Sequence, residues 1–251
     1  MLTEERHQQI LLQVNENDIV TINELLDPLE ASESTIRRDL KTLEQQGLLT
    51  RIHGGAKKIQ GLKFEATVSE KQQRFREEKI AIAKYAAQFI AQDDVIYLDA
   101  GTTTIEMIPF IPSNLAVKVV TNSVKHASLL IDRHIETIIL GGSIKLATNA
   151  TLGHMATEQL KQFRLNKAFM GINAIHTEGG FTTPDPEEAF IKQLAIAQSQ
   201  KAFVLTDHSK LQQTTFTQVA PLEAAEIITD NCPKDIYKKL QRQTKVMEVF
   251  A

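Results

Sequence analysis

Two groups of residues in this 251-residue chain have types and spacings that chemistry can use. The first is Ser34, Thr35, Arg37, Arg38 and Lys41, interleaved with Ile36, Leu40 and Leu43 at i, i+4 and i+7. On a helix the three aliphatic residues share the inward stripe, so the polar ones face out. Arginine donates two parallel hydrogen bonds to guanine O6 and N7, while serine, threonine and lysine reach phosphates or base edges, so this set suits the major groove of a duplex. A solvated charged helix face carries similar residues, and the helix alone does not separate the two readings. Charge distribution adds to the first. The formal net charge is −3, yet residues 37–58 hold six basic residues against two acidic ones, a concentration typical of a nucleic-acid footprint.

The second group is Asp99-Ala-Gly101-Thr102-Thr103-Thr104, which follows the apolar run Val95–Leu98 and precedes a helix expected near Ile105. A glycine turn entering a helix exposes N–H groups and a positive dipole end, and three hydroxyls add donors, so a phosphate fits. A capped turn without a ligand has the same composition. Further loops fall at the same carboxyl end of the inferred sheet: Thr121-Asn122-Ser123, Gly141-Gly142 and Gly171-Ile172-Asn173. Open α/β sheets collect ligands there. Asp185 opens a helix carrying Glu187, Glu188 and Lys192, where Glu188 and Lys192 at i, i+4 also fit a surface ion pair. Asp207-His-Ser-Lys210 is the last such loop.

The elements that must position these groups are legible in outline. Thr3 is placed to cap a first helix, Thr21-Ile-Asn-Glu24 has the form of a capping box, and Ser32 caps the helix bearing the arginines, with Gly47 as its stop. Pro28 is expected to end or distort the second helix early. Leu48–His53 and Ala56–Ile59 read as a hairpin turning at Gly54-Gly55, a wing on which His53, Lys57 and Lys58 would grip the flanking backbone. A linker over 59–69 and a helix from near Glu70 to Ala91 follow. Apolar runs near 95, 117, 137, 168, 202, 226 and 245 then alternate with helical stretches, the rhythm of a mostly parallel sheet covered on both faces.

Composition sets outer bounds. Hydrophobic residues at 42% and charged residues at 24% suit a globular chain with a sizeable core. No apolar run approaches the ~18 residues of a membrane span and the N-terminus lacks a signal-peptide profile, so a cytoplasmic protein without membrane contact is expected. The single cysteine, Cys232, has no internal disulfide partner and reads as a packing residue. The seven histidines form no metal-type pair, and no metal or cofactor is expected.

Ala31-Ser-Glu-Ser-Thr-Ile-Arg-Arg-Asp-Leu40, with Leu43-Glu44, Gly47 and Arg51-Ile-His-Gly-Gly-Ala56, resembles the DeoR family of bacterial repressors. The resemblance extends through the later loops to about residue 230. It implies a winged helix-turn-helix over 1–58 and, over 70–251, an α/β sensor of a sugar phosphate with a fold similar to ribose-5-phosphate isomerase and glucosamine-6-phosphate deaminase. It implies that Asp99, Gly101, Thr102, Thr103, Thr104, Asn122, Gly141, Gly142 and Lys192 line the effector pocket. Thr102 to Thr104 would hold the phosphate, and Asp99, Asn122 and Lys192 the sugar hydroxyls. Asp185, Glu188 and Lys210 join the same candidate set. Asp39 resembles the family's acid among the reading residues and is expected to orient Arg38 or another arginine.

The resemblance is strongest to the fructose-operon repressors of Gram-positive bacteria, in Met1–Gln8, Met107-Ile-Pro-Phe110, Ile175–Glu178, Thr182–Asp185 and Glu187-Glu-Ala189, with Ala174 a departure where that subgroup has glycine. It implies fructose 1-phosphate as effector, double-stranded operator DNA as partner, and a homodimer or homotetramer. The competing reading is a sugar-phosphate isomerase. The resemblance to the isomerases implies paired acids after the strand Ala168–Asn173, and this chain has no acid there before Glu178. Binding without turnover is therefore the expectation.

Overall fold

The computed structural model describes residues 2–17, 19–46, 48–58, 61–63, 65–112 and 114–249, and the chain divides into two compact units, residues 1–61 and 62–251. The first contains α1 (Thr3–Asn17), β1 (Ile19–Thr21), α2 (Ile22–Leu29), α3 (Glu33–Gln45), β2 (Leu49–Ile52) and β3 (Gly55–Lys58). Helix α1 includes Thr3 rather than being capped by it. The Leu2 N–H bonds Glu5 Oε2 at 3.1 Å, so an acid three residues on supplies the acceptor. Thr21 and Glu24 form the capping box of α2, and Ser32 accepts from the Thr35 N–H at the start of α3. Pro28 lies in the last turn of α2, which runs one residue further before Glu30 turns left-handed (φ 47°). Gly47, expected to stop α3, lies outside the described residues, as do Ile59, Gln60 and Phe64 of the expected linker.

The hairpin turns one residue earlier than expected. Ile52 faces Gly55 across it, so His53 and Gly54 form the turn, and only Gly54 has positive φ (79°). Gly55 is glycine for another reason: it lies opposite Thr21 of β1, and a Cβ there would come within 2.1 Å of the Val20 carbonyl oxygen. That contact closes the sheet β1-β3-β2 over a core including Ile10, Leu25, Ile36, Leu40 and Leu43.

The second unit runs α4 (Val68–Gln73), α5 (Arg76–Ala87), β4 (Val95–Leu98), a 3₁₀ helix (Thr104–Phe110), β5 (Lys118–Thr121), α6 (Val124–Asp132), β6 (Glu136–Ile139), β7 (Ser143–Lys145), β8 (Ala150–Leu152) and α7 (His154–Lys161). It continues with β9 (Leu165–Gly171), β10 (Ala174–His176), β11 (Gly180–Thr183), α8 (Pro186–Ala197), β12 (Ser199–Thr206), β13 (Thr217–Ala220), β14 (Glu226–Thr229), α9 (Lys234–Leu240) and β15 (Val246–Glu248). The expected helix over 70–91 is two helices, broken at Phe75 in the left-handed region (φ 54°). A capping box at Thr67 starts the first of them. The helix expected after Thr104 is a 3₁₀ helix with Pro109 inside it, which lacks the N–H an α-helical ladder needs.

All seven expected runs enter one sheet of order β15-β14-β12-β9-β4-β5-β6, with every neighbouring pair parallel. Successive side chains alternate between its faces. Tyr97, Ala168, Met170 and Val204 pack on one side, and Ile96, Leu98, Phe169 and Phe203 on the other. Burial on both faces is why these strands read as continuous apolar runs. The antiparallel sheet β10-β11-β13 and the hairpin β7-β8 were not legible, because strands of three or four residues show too little periodicity. From β4 the chain builds outward through β5 and β6, then returns to the other flank of β4 with β9. The order reverses between β4 and β9, and open α/β sheets bind ligands in the crevice beyond the carboxyl ends at such a switch point.

Candidate functional site

On α3 the buried stripe is Ile36, Leu40 and Leu43 together with Asp39. Ser34, Arg37, Arg38 and Lys41 are exposed, and Thr35 is half-buried beside the cap. Positions 34, 37, 38 and 41 follow one helical stripe, so one face gathers them. Arg37 pairs with Glu33 at 2.6 Å. Asp39 does not serve Arg38: it accepts from Arg6 of α1 at 2.5 and 3.2 Å and lies 3.1 Å from His7 Nε2. Burial opposes its charge, but the bonds from Arg6 and His7 outweigh that and hold the carboxyl below its usual range. The acid therefore ties α3 to α1. His53 is exposed at the hairpin turn, while Lys57 and Lys58 are half-buried neighbours on β3. Strand alternation sends those two lysines to opposite faces.

In the second unit, Asp99 directly follows β4 at the reversal point. Its Oδ2 accepts from the Gly171 N–H at 3.0 Å and from Lys192 Nζ of α8. Both side chains are almost fully buried, at 1% and 6% exposure. Burial lowers the Lys192 pKa, but attraction from Asp99 and Glu188 more than offsets it, and the ammonium stays above its ordinary value. Asp99 Oδ1 is buried and has no hydrogen-bond partner among the described residues. Such an oxygen is costly unless something donates to it.

The following turn is fixed from below. Thr104 Oγ1 donates to the Asp99 carbonyl at 2.7 Å and sits 3.0 Å from that of Gly101 and 3.2 Å from His126 Nε2. His126 Nδ1 is 2.6 Å from Ser123 Oγ, which also accepts the His126 backbone N–H. The serine hydrogen then goes to Nδ1, and Nε2 donates to Thr104. Burial, and then Lys125, depress the His126 pKa to about 3, which keeps the ring neutral. Asn122 Oδ1 receives the Ala100 N–H at 2.9 Å. The N–H groups of Gly101, Thr102 and Thr103 have no acceptor among the described residues.

Thus Asp99, Gly101, Thr104, Asn122 and Lys192 converge. Gly141 is bonded instead to Gln159 of α7 at 2.9 Å. Gly142 (φ 147°) lies so close to the Leu152 carbonyl that a Cβ would approach it to 2.4 Å. Both shape the β6 loop without bonding the Asp99 cluster. Glu188 and Lys192 are not a surface pair, since both are buried. Glu188 accepts from Lys145 at 3.1 Å and Thr148 at 2.9 Å. Asp185 caps α8 and meets Lys145 at 2.8 Å. Lys210 follows β12, and burial pushes its pKa down despite nearby Asp207.

Three contributors escaped the sequence reading. Lys79 is buried on α5 within electrostatic reach of Asp207, Lys210 and Glu106, and burial lowers its pKa. Lys145 gathers three carboxylates, Glu65, Asp185 and Glu188. His126 lies on the buried face of α6 with Ala127 and Leu130. A signal existed for two of them. Lys79 shares a stripe with Ile82, Ala83 and Ala86, and His126 one with Leu130, and a titratable residue in an apolar stripe is a departure from pattern. Glu178, the first acid after β9, is exposed in the turn between β10 and β11, so no pair of acids faces the crevice there.

A helix-turn-helix unit followed by an α/β unit with a polar crevice at its strand reversal defines a ligand-responsive DNA-binding regulator. Residues 6–61 match the DeoR-like helix-turn-helix domain and residues 74–231 the DeoR C terminal sensor domain. The chain belongs to the DeoR family. It is 45% identical over 249 residues to the Uncharacterized HTH-type transcriptional regulator FruR of Bacillus subtilis, covering 99% of each chain. It is 33% identical over 248 residues to the Lactose phosphotransferase system repressor of Staphylococcus epidermidis, covering 97% of this chain and 98% of that one. Among solved structures, ribose 5-phosphate isomerase A from Methanocaldococcus jannaschii matches 54% of each chain at 18% identity, with a TM-score of 0.41. The protein is a DeoR-type transcriptional repressor.

Proposed function

We propose that the protein represses a sugar-utilisation operon, that of fructose, by holding operator DNA as a homodimer or homotetramer, and that fructose 1-phosphate releases it. The observation that carries the reading is that the turn after β4 leaves two chemically different demands unmet. The first comes from the N–H groups of Gly101, Thr102 and Thr103, which lack acceptors among the described residues; Lys79 and Lys210, within electrostatic reach of each other, are assigned to the same anion. Phosphate oxygens accept from both kinds of donor. The second comes from Asp99 Oδ1, which lacks a donor among the described residues and to which a sugar hydroxyl donates. Inorganic phosphate satisfies only the first demand and free sugar only the second. Asn122, Gly141, Gly142, Asp185, Glu188 and Lys192 shape the remainder. Fructose, rather than another sugar, rests on the similarity to FruR.

On the DNA side, Arg37 and Arg38 read base edges, with Ser34, Thr35, Lys41, His53, Lys57 and Lys58 toward phosphates. Calorimetric titration with a panel of sugar phosphates, alongside operator gel shifts, tests the whole reading. Fructose 1-phosphate should bind and dissolve the complex while fructose does neither. Thr103→Ala, whose hydroxyl makes no capping bond, should keep operator binding and lose the response. An operator complex left intact by millimolar fructose 1-phosphate but dissolved by another sugar phosphate would overturn the assignment of the sugar.

A further inference from the structure

Residues 65–75, which precede the first long helix of the sensor, are fastened toward both of their ends by lysines. Toward the C-terminal end, Lys79 Nζ donates to the main-chain oxygens of Lys71 and, at 2.6 Å, of Arg74, the carbonyls that close α4. At the other end, Lys145 Nζ holds Glu65 at 2.6 Å together with Asp185 at 2.8 Å and Glu188 at 3.1 Å. Glu65 returns to the same segment through Lys71 at 2.9 Å, and the Val68 N–H bonds the Ala147 carbonyl of the β7-β8 turn at 3.3 Å. Gln72 also accepts from Lys125 at 3.3 Å. No residue of α4 is buried, and the seam to α5 is Phe75 in a left-handed conformation, its ring edge-on to His208 at 4.7 Å.

The two anchors differ in what a ligand does to them. Lys79 gives its protons to neutral carbonyls, and a phosphate offers the same ammonium an opposite charge that the carbonyls lack. Lys145 divides three protons among three carboxylates, and sugar hydroxyls donating to Asp185 or Glu188 alter that division and the grip on Glu65. A ligand shifts a conformational equilibrium only by binding its states unequally, and these anchors are where an unequal contact arises.

We propose that residues 65–75 form a strap that reports occupancy of the crevice to the DNA-reading unit preceding it in the chain, ligand binding drawing Lys79 and Lys145 away from it. This rests on the reading that the crevice takes a sugar phosphate. It also explains a need for both halves of the ligand, since each half releases one anchor.

The test is hydrogen–deuterium exchange on the full-length protein with and without fructose 1-phosphate, with operator affinity measured in parallel. Amides of residues 67–74 should exchange faster with ligand bound, local opening being cheapest where little is buried. Glu65→Gln should leave fructose 1-phosphate affinity within about threefold while reducing the ligand's effect on operator affinity by at least about threefold. Thr67→Ala, which removes the α4 cap without touching Lys145, should act in the same direction. Ligand binding with unchanged exchange over 67–74, or full response in both variants, overturns the strap and leaves the pocket reading standing. If neither fructose 1-phosphate nor inorganic phosphate binds the wild-type protein, the pocket reading falls and the strap with it.

Discussion

The outward face of α3 and the floor of the strand-end crevice both carry charge, and they hold it in opposite ways. On α3 the ion pair of Arg37 with Glu33 has both side chains more than half exposed, at 55% and 56%, and Arg38 and Lys41 are exposed beside it. In the crevice Asp99 and Lys192 are sealed together, with Gly171 and Phe169 backbone groups completing the frame. An exposed cation exchanges water for a DNA oxygen with little effect on folding. A buried charge must have its partner in the folded protein before any ligand arrives. The reading face is thus separable from stability, and the crevice is not.

The largest break in that contrast comes from removing one member of the buried pair. Lys192→Met should cost the sensor about 3 to 5 kcal/mol by leaving Asp99 charged and unpaired. The double variant Asp99→Asn/Lys192→Met should regain most of the loss in denaturant unfolding. A double variant no more stable than the single would mean that the pair does not carry the site.

Next comes pH. The unfolded chain binds a proton on His126 near 6.5 and the folded protein only near 3, so between those values the unfolded state binds more protons and stability falls as pH falls. The slope is at most ~1.4 kcal/mol per pH unit from this residue. His126→Gln should show a shallower loss between pH 6.5 and 4, and parallel profiles would sink the claim of a neutral buried ring.

On α3 the expected effects move from stability to recognition. Arg38→Ala should cost about 1 to 3 kcal/mol of operator binding and relax base preference, while the unfolding free energy stays within ~0.5 kcal/mol. A fall in thermal midpoint matching the loss of affinity would erase the contrast. The smallest effect belongs to Glu33→Ala, expected to change stability by less than about 0.5 kcal/mol because exposed i, i+4 pairs contribute little.

Legibility followed range. The caps at Thr21 and Ser32, the stripe on α3 and the seven apolar runs are patterns within a few residues, and they appeared where expected. The turn at Gly54-Gly55 shows the limit. Two glycines suggested a glycine turn, whereas Gly55 is required by β1, more than thirty residues earlier in the chain. The break at Phe75 was hidden because its neighbours favour helix and the alternative, carbonyls held by Lys79, depends on folding of the whole unit. Asp39 was expected to orient an arginine, and Arg6, 33 residues away, is the one it holds.

By itself the sequence determined the helices of the first unit, the seven strands of the parallel sheet, the outward set of α3 and the hydroxyl-rich turn after β4, since each rests on contacts within a turn of helix or on a short apolar run. Tertiary structure alone decided the pairing of the buried charges. Lys192 had Glu188 at i−4, an exchange worth a few tenths of a kcal/mol on a surface, yet it bonds Asp99, 93 residues earlier. The closing of the sheet between β4 and β9 removes both groups from water, and once desolvated each requires a fully formed partner, which no local pattern specifies.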